Sequence, residues 1–201
     1  AKKISREKNA IIQLAEDTIG IDVDIAKFIT EKSKKFDDIM NVKVGETLED
    51  ITRASESDSL YSSSKLGNII TDILRKKTNA EIAFYNNSGI RNIFVKGDII
   101  FRDVYQIEPF GNTILTMKLK GKDIREFIES VLNDNYHSVQ ISGLTIYYFF
   151  DTKTNSYKLF DIFVNNIPLY DNQFYNIATP NYIGMGNDGY TVFLKGIEKK
   201  D

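Results

Sequence analysis

Residues Asn112 to Asp134 read NTILTMKLKGKDIREFIESVLND, and the apolar spacing changes halfway along. Up to Lys120 it alternates, with Leu115, Met117 and Leu119 on one side and Ile114, Thr116, Lys118 and Lys120 on the other. That is the period of a half-buried strand. From Gly121 the steps become three and four, so that Ile124, Phe127, Ile128 and Val131 share one stripe of an amphipathic helix. A strand followed at once by such a helix predicts a domain of mixed α and β layers, an α+β fold.

The same alternation of element types extends outward from this stretch. Upstream, KLGNIITDILRKK places Leu66, Ile69, Ile70, Ile73 and Leu74 on one helical stripe. AEIAFYN then offers strand formers with poor alternation and breaks into NNSGIR, a turn composition. Downstream, three strand candidates lie around Val139–Phe150, Tyr157–Val164 and Phe174–Thr179. Residues 4–40 carry helical spacing interrupted at Gly20, and Asp22 or Asp24 can cap the second half. NVKVGE is a short strand candidate. Six of the ten residues from Ser55 to Ser64 are serine, the composition of an exposed connection.

Bulk composition excludes several classes. A chain of 201 residues with 42% hydrophobic side chains buries roughly 70% of its unfolded surface, enough for one large domain. The charge balance, 26 basic against 28 acidic residues, gives no reason to expect nucleic acid or an anionic membrane as partner. There is no cysteine, hence neither a disulfide framework nor a thiolate metal site. The most apolar run, LTIYYFF at Leu144–Phe150, falls far short of the ~20 residues that span a bilayer. The first ten residues lack the apolar stretch of a secretion signal.

Two segments fit neither period. TPNYIGMGNDGY, Thr179 to Tyr190, mixes three glycines with an aromatic and an acid, and reads as a loop. EPFGNT, Glu108 to Thr113, echoes it. Each carries a proline just ahead of an aromatic and a glycine within two residues after it. Pro109 and Pro180 stiffen the approach to Phe110 and Tyr182, and the glycines let a ligand or a neighbouring backbone come close. Two rings on stiff loops could clamp a flat heterocycle, and Asp188 would then accept hydrogen bonds from the vicinal hydroxyls of a sugar. The plainer alternative is that such rings plug a core and that an Asp before Gly is a turn residue.

LGNIITDIL, NNSGIR, GDIIFRDVYQIEPFGNT, the helix opened by GKDI, and TPNYIGMGNDGY, taken in that order and spacing, resemble the C-terminal domain of the 5'-nucleotidase family. The resemblance covers residues from about 42 to 196. It implies a 5'-nucleotidase C-terminal-domain-like α+β fold over residues 42–201, preceded over 1–41 by a helical connection from an N-terminal metallophosphatase domain. In that family the C-terminal domain stacks the base of a nucleoside between two aromatics. The resemblance implies that Phe110 and Tyr182 are those rings, that Asp188 binds ribose hydroxyls, and that Asn112 lies near the base edge. Asn86 and Arg91 would line the sugar and phosphate side, where a guanidinium fork matches phosphate oxygens.

The chain departs from the family pattern twice. Members often carry an arginine shortly before the LGN helix, where LYSSSK here puts Ser62, with Lys65 nearby. Members also often carry a Ser-Gly pair where DNYHS here puts Tyr136.

A two-metal phosphoesterase site needs several His and Asp ligands around ions about 3.5–4 Å apart. The chain has a single histidine, His137, in a polar stretch, and no DxH pattern or Asn-His pair. There is likewise no Ser-His-acid set in a recognisable context and no GxxxxGK phosphate loop. The expectation is therefore the substrate-binding half of a hydrolase, inactive by itself and without a cofactor of its own. The two divalent metal ions implied by the family would sit in the catalytic domain. Two alternatives stay open: the same domain from a 2',3'-cyclic-nucleotide phosphodiesterase or UDP-sugar hydrolase, and a non-catalytic surface or interaction module. Export to the periplasm or cell surface is implied by the family alone.

Overall fold

A computed structural model describes residues 21–53, 63–133 and 138–201. The chain divides into two units between Val42 and Lys43. In the first, helix α1 spans Val23–Met40, and the Asp22 carboxylate accepts hydrogen bonds from the backbone N–H groups of Asp24 and Ile25. None of its side chains is buried.

The second unit is built around a five-stranded sheet. Its strands are β2 (Ile82–Asn86), β4 (Ile114–Lys120), β5 (Val139–Ser142), β9 (Phe174–Pro180) and β10 (Ile197–Lys200), in spatial order β10-β4-β9-β2-β5. Only the β2–β9 pair is parallel, with Ile82 opposite Ile177 and Ala83 opposite Ala178. Helix α2 (Lys65–Thr78) packs on β2, β5 and β9, and helix α4 (Gly121–Leu132) packs on β4 and on β7 of a second sheet. That sheet is antiparallel and three-stranded: β6 (Leu144–Asp151), β7 (Ser156–Val164) and β8 (Ile167–Pro168). A small pair, β1 (Lys43–Thr47) with β3 (Gly97–Ile100), leads into helix α3 (Phe101–Ile107).

The central sheet separates two apolar clusters. Ile82, Phe84, Met117 and Ile177 face Ile124, Phe127, Ile128 and Phe193. Ala83, Tyr85 and Ala178 face Leu66, Leu74, Ile90 and Ile107. This accounts for the poor alternation of AEIAFYN. All five residues of β2 are buried, because both faces of a central strand are covered. The alternation of β4 and the inward stripe of α4 follow the sequence pattern residue for residue.

Four expectations are corrected. The apolar stripe of α2 splits: Leu66, Thr71 and Leu74 are buried, while Ile69 and Ile73 are 39% and 57% exposed. Ser64 ends the serine-rich stretch as a buried N-cap rather than in solvent, since its Oγ accepts from the Gly67 N–H at 2.9 Å. Ser63 is exposed, and the rest of that stretch, residues 55–62, lies outside the described residues. The strand candidate Val139–Phe150 is two strands in two sheets. Gly143 breaks it at φ +91°, pressed so closely on the Glu81 carbonyl that a Cβ would overlap it. TPNYIGMGNDGY is not a plain loop: after the end of β9 it forms a short helix, α5 (Asn181–Gly184), and a 3-10 turn at Asn187–Gly189.

Candidate functional site

One end of the central sheet gathers the singled-out residues. β2 and β9 run parallel, so their carboxyl ends lie together, and antiparallel β4 begins at the same end, with Ile114 opposite Pro180. NNSGIR continues from β2 through a 3-10 turn, TPNYIGMGNDGY continues from β9, and EPFGNT leads into β4. Carboxyl ends of parallel strands are a recurrent place for ligand crevices in α/β sheets. Here a cavity of about 270 Å³ opens there, lined by Asn86, Ser88, Gly89, Arg91, Phe110, Asn112, Tyr182 and Asp188. All six sequence-chosen residues line it.

Neither ring is a core plug. Phe110 is 58% exposed and Tyr182 is 39% exposed. Gly111 takes φ +66° with open space where a side chain would project, so its glycine serves the turn rather than a close approach. The Arg91 guanidinium lies 5.9 Å from the centroid of the Phe110 ring, within cation–π range. Arg91 also donates from Nη1 to the Ser88 carbonyl at 3.3 Å, and from its backbone N–H to the Ile107 carbonyl at 2.8 Å. Asn112 Nδ2 donates to Glu108 Oε1 at 2.7 Å. The Asn181 N–H donates to the Thr113 carbonyl at 2.9 Å, tying the two aromatic loops together.

Within the second loop the Tyr182 hydroxyl donates to Asp188 Oδ1 at 2.8 Å, and Asn187 Nδ2 donates to the Tyr182 carbonyl at 2.9 Å. The bond to Asp188 raises the phenol's pKa above the ordinary tyrosine value, with partial desolvation and the carboxylate's charge acting in the same direction. In β2, burial pushes the Tyr85 phenol far above its usual range, and the Glu108 carboxylate adds to it.

Three residues invoked from the sequence, Ser62, Tyr136 and His137, lie outside the described residues. Lys65 pairs with Glu49 at 2.6 Å and is not among the cavity-lining residues. Among the described residues no group of three His, Cys, Asp or Glu side chains stands close enough to hold a metal ion. No helix among them is long and apolar enough to cross a membrane.

The sequence profile of the 5'-nucleotidase C-terminal domain matches residues 39–195. The chain belongs to that family. A trifunctional nucleotide phosphoesterase of Bacillus subtilis is 29% identical over 181 residues, 83% of this chain and 12% of that protein. A 5'-nucleotidase of Vibrio parahaemolyticus is 26% identical over 198 residues, 94% of this chain and 33% of that protein. Among solved structures, a 5'-nucleotidase precursor from Thermus thermophilus superposes with a TM-score of 0.75 at 29% identity, covering 90% of this chain and 38% of that one. This 5'-nucleotidase C-terminal domain thus spans a third or less of these two curated relatives.

Sequence reasoning missed what supports the cavity of the 5'-nucleotidase C-terminal domain from behind. Gln140 is 1% exposed; its Oε1 accepts from the Ser64 N–H at 2.9 Å and its Nε2 donates to Asn87 Oδ1 at 2.6 Å. Asn87 in turn donates from Nδ2 to Ser138 Oγ at 2.8 Å. This chain of bonds joins the start of α2 to the NNSGIR turn. Its only sequence signal is a glutamine in a strand of apolar alternation, which reads equally well as a solvent-facing residue. Ser88 and Gly89, also missed as lining residues, sit inside the quoted motif.

Proposed function

We propose that this chain recognises the nucleoside part of a nucleotide for a two-domain phosphohydrolase of the 5'-nucleotidase type. The observation that carries the reading is the composition of the cavity at the sheet end that all six sequence-chosen residues line. Two accessible rings, a carboxylate, two amides and a guanidinium line about 270 Å³, near the lower end of the ~300–1,000 Å³ common for small-molecule sites. A base lies between Phe110 and Tyr182, where each ring contributes about 1–3 kcal/mol on the scale seen for base–aromatic stacking. Asn112 meets the base edge, Asp188 accepts from the sugar hydroxyls, and Asn86 with Arg91 faces the sugar and phosphate.

Hydrolysis itself belongs, in this reading, to a metallophosphatase domain carrying two divalent ions, with residues 1–41 as the connection to it. Binding energy from the nucleoside then holds the phosphate in place for attack and lowers the barrier. The whole protein acts in nucleotide breakdown outside the cytoplasm, as the family resemblance implies. What the phosphate end carries is a matter of competition among AMP, a 2',3'-cyclic nucleotide and a UDP-sugar.

Calorimetric titration with adenosine and AMP tests the proposal. Saturable binding that disappears when Phe110 and Tyr182 are both replaced by alanine is the expected result. No heat and no change in melting temperature with any common nucleoside or nucleotide at millimolar concentration would sink it.

A further inference from the structure

A phenylalanine at position 182 would offer a ligand the same aromatic face, so the hydroxyl of Tyr182 calls for a separate account. Among the described residues it donates to Asp188 Oδ1 at 2.8 Å, six residues along the same loop. The backbone around Asp188 turns through the left-handed region. Gly186, Asp188 and Gly189 all take positive φ, at 82°, 51° and 82°, and the Asn187 side chain is bonded back to the Tyr182 carbonyl. Asp188 is the one non-glycine of the three. An aspartate tolerates that region better than most residues, yet it still needs surroundings that hold it there.

Pro180 fixes the chain at the start of this loop, with φ −56°, and α5 carries Tyr182 directly from it. The rigid end of β9 therefore sets the ring, and the ring's hydroxyl sets the carboxylate. A carboxylate offers about four acceptor positions, so accepting one phenol does not exhaust it.

We infer that Tyr182 is a positioning residue as well as a stacking surface: its hydroxyl orients the Asp188 carboxylate toward the vicinal hydroxyls of a ribose and so sets the preference for ribonucleosides. This rests on the nucleoside reading above and goes beyond it by assigning sugar selectivity to the phenol. The raised pKa of the Tyr182 phenol agrees with the bond.

The test compares wild type, Y182F and D188N, each checked for an unchanged unfolding transition, in titrations with adenosine and with 2',3'-dideoxyadenosine. Wild type prefers adenosine. Y182F keeps its affinity for the dideoxynucleoside within about twofold but loses roughly five- to tenfold for adenosine, the net size of one ordinary hydrogen bond. D188N loses the preference altogether. A Y182F protein with the wild-type ratio of the two affinities overturns the inference.

A second arm needs no ligand. Carbon-13 NMR of ring-labelled tyrosine, with the Tyr182 signal identified by its loss in Y182F, follows the phenol through alkaline pH. The D188N change lowers its ionisation midpoint, and an unchanged midpoint overturns the inference on its own. If instead the midpoint falls but wild type binds neither nucleoside, the nucleoside reading has failed and takes the selectivity role with it, while the hydrogen bond stands. The two failures are thereby told apart.

Discussion

Two sets of aromatic rings in this domain have opposite fates. Phe84, Phe127 and Phe193 meet in the core, with centroids 5.4 Å apart for Phe84–Phe127 and 5.3 Å for Phe127–Phe193, and Phe84 has no exposed surface. Phe110 and Tyr182 stand in the wall of a cavity with large parts of their faces open. Residue type does not distinguish them. Context does: Phe84 and Phe127 fall within a strand run and a helical stripe, whereas the cavity rings sit between proline and glycine, outside any period. Apolar periodicity finds what the fold buries, and aromatic residues that break it point to what the fold presents.

Substitutions sharpen that contrast, beginning with the core. Phe84→Ala is expected to destabilise the domain by roughly 3–5 kcal/mol, read from chemical denaturation, because the ring's neighbours cannot close the space. Gly143→Ala comes next, at about 3 kcal/mol, since it adds overpacking against the Glu81 carbonyl to the strain of a positive φ. Phe110→Ala is expected to weaken nucleoside binding by about 1–3 kcal/mol while moving stability by less than about 0.5 kcal/mol. A large loss of stability there would show that the ring is structural after all, and the contrast would break. Gly111→Ala sits at the bottom of the scale, at about 1 kcal/mol of stability, because its positive φ is strained but the space beside it is open. The same substitution at two positive-φ glycines thus separates a crowded backbone position from an open one.

Much of this was legible in the sequence, for physical reasons that can be named. β4 and α4 each have one wet and one dry face, so period alone fixed both elements and their buried sides. Six of the eight cavity-lining residues were legible from motif resemblance and from the departure of their segments from any period. The illegible parts are those where two signals cancel. β2 is covered on both faces and shows no alternation. The break at Gly143 depends on the Glu81 carbonyl, a neighbour more than sixty residues away in the chain. Helix α3 lies among residues quoted only as part of a motif, and at Phe101–Ile107 it is too short for its spacing to stand out. Gln140 could not be recognised from sequence because a buried amide and an exposed one are spelled alike.

The parallel pairing of β2 and β9 has a practical consequence. It sends every cavity segment to one pole of the sheet, so the connections entering β2 and β9 emerge at the other. The connection into β9 passes through Asn172, which is exposed. A fluorescent reporter or affinity handle spliced in there would sit remote from the recognition surface, which gives a labelling position for following ligand capture without touching the residues that perform it.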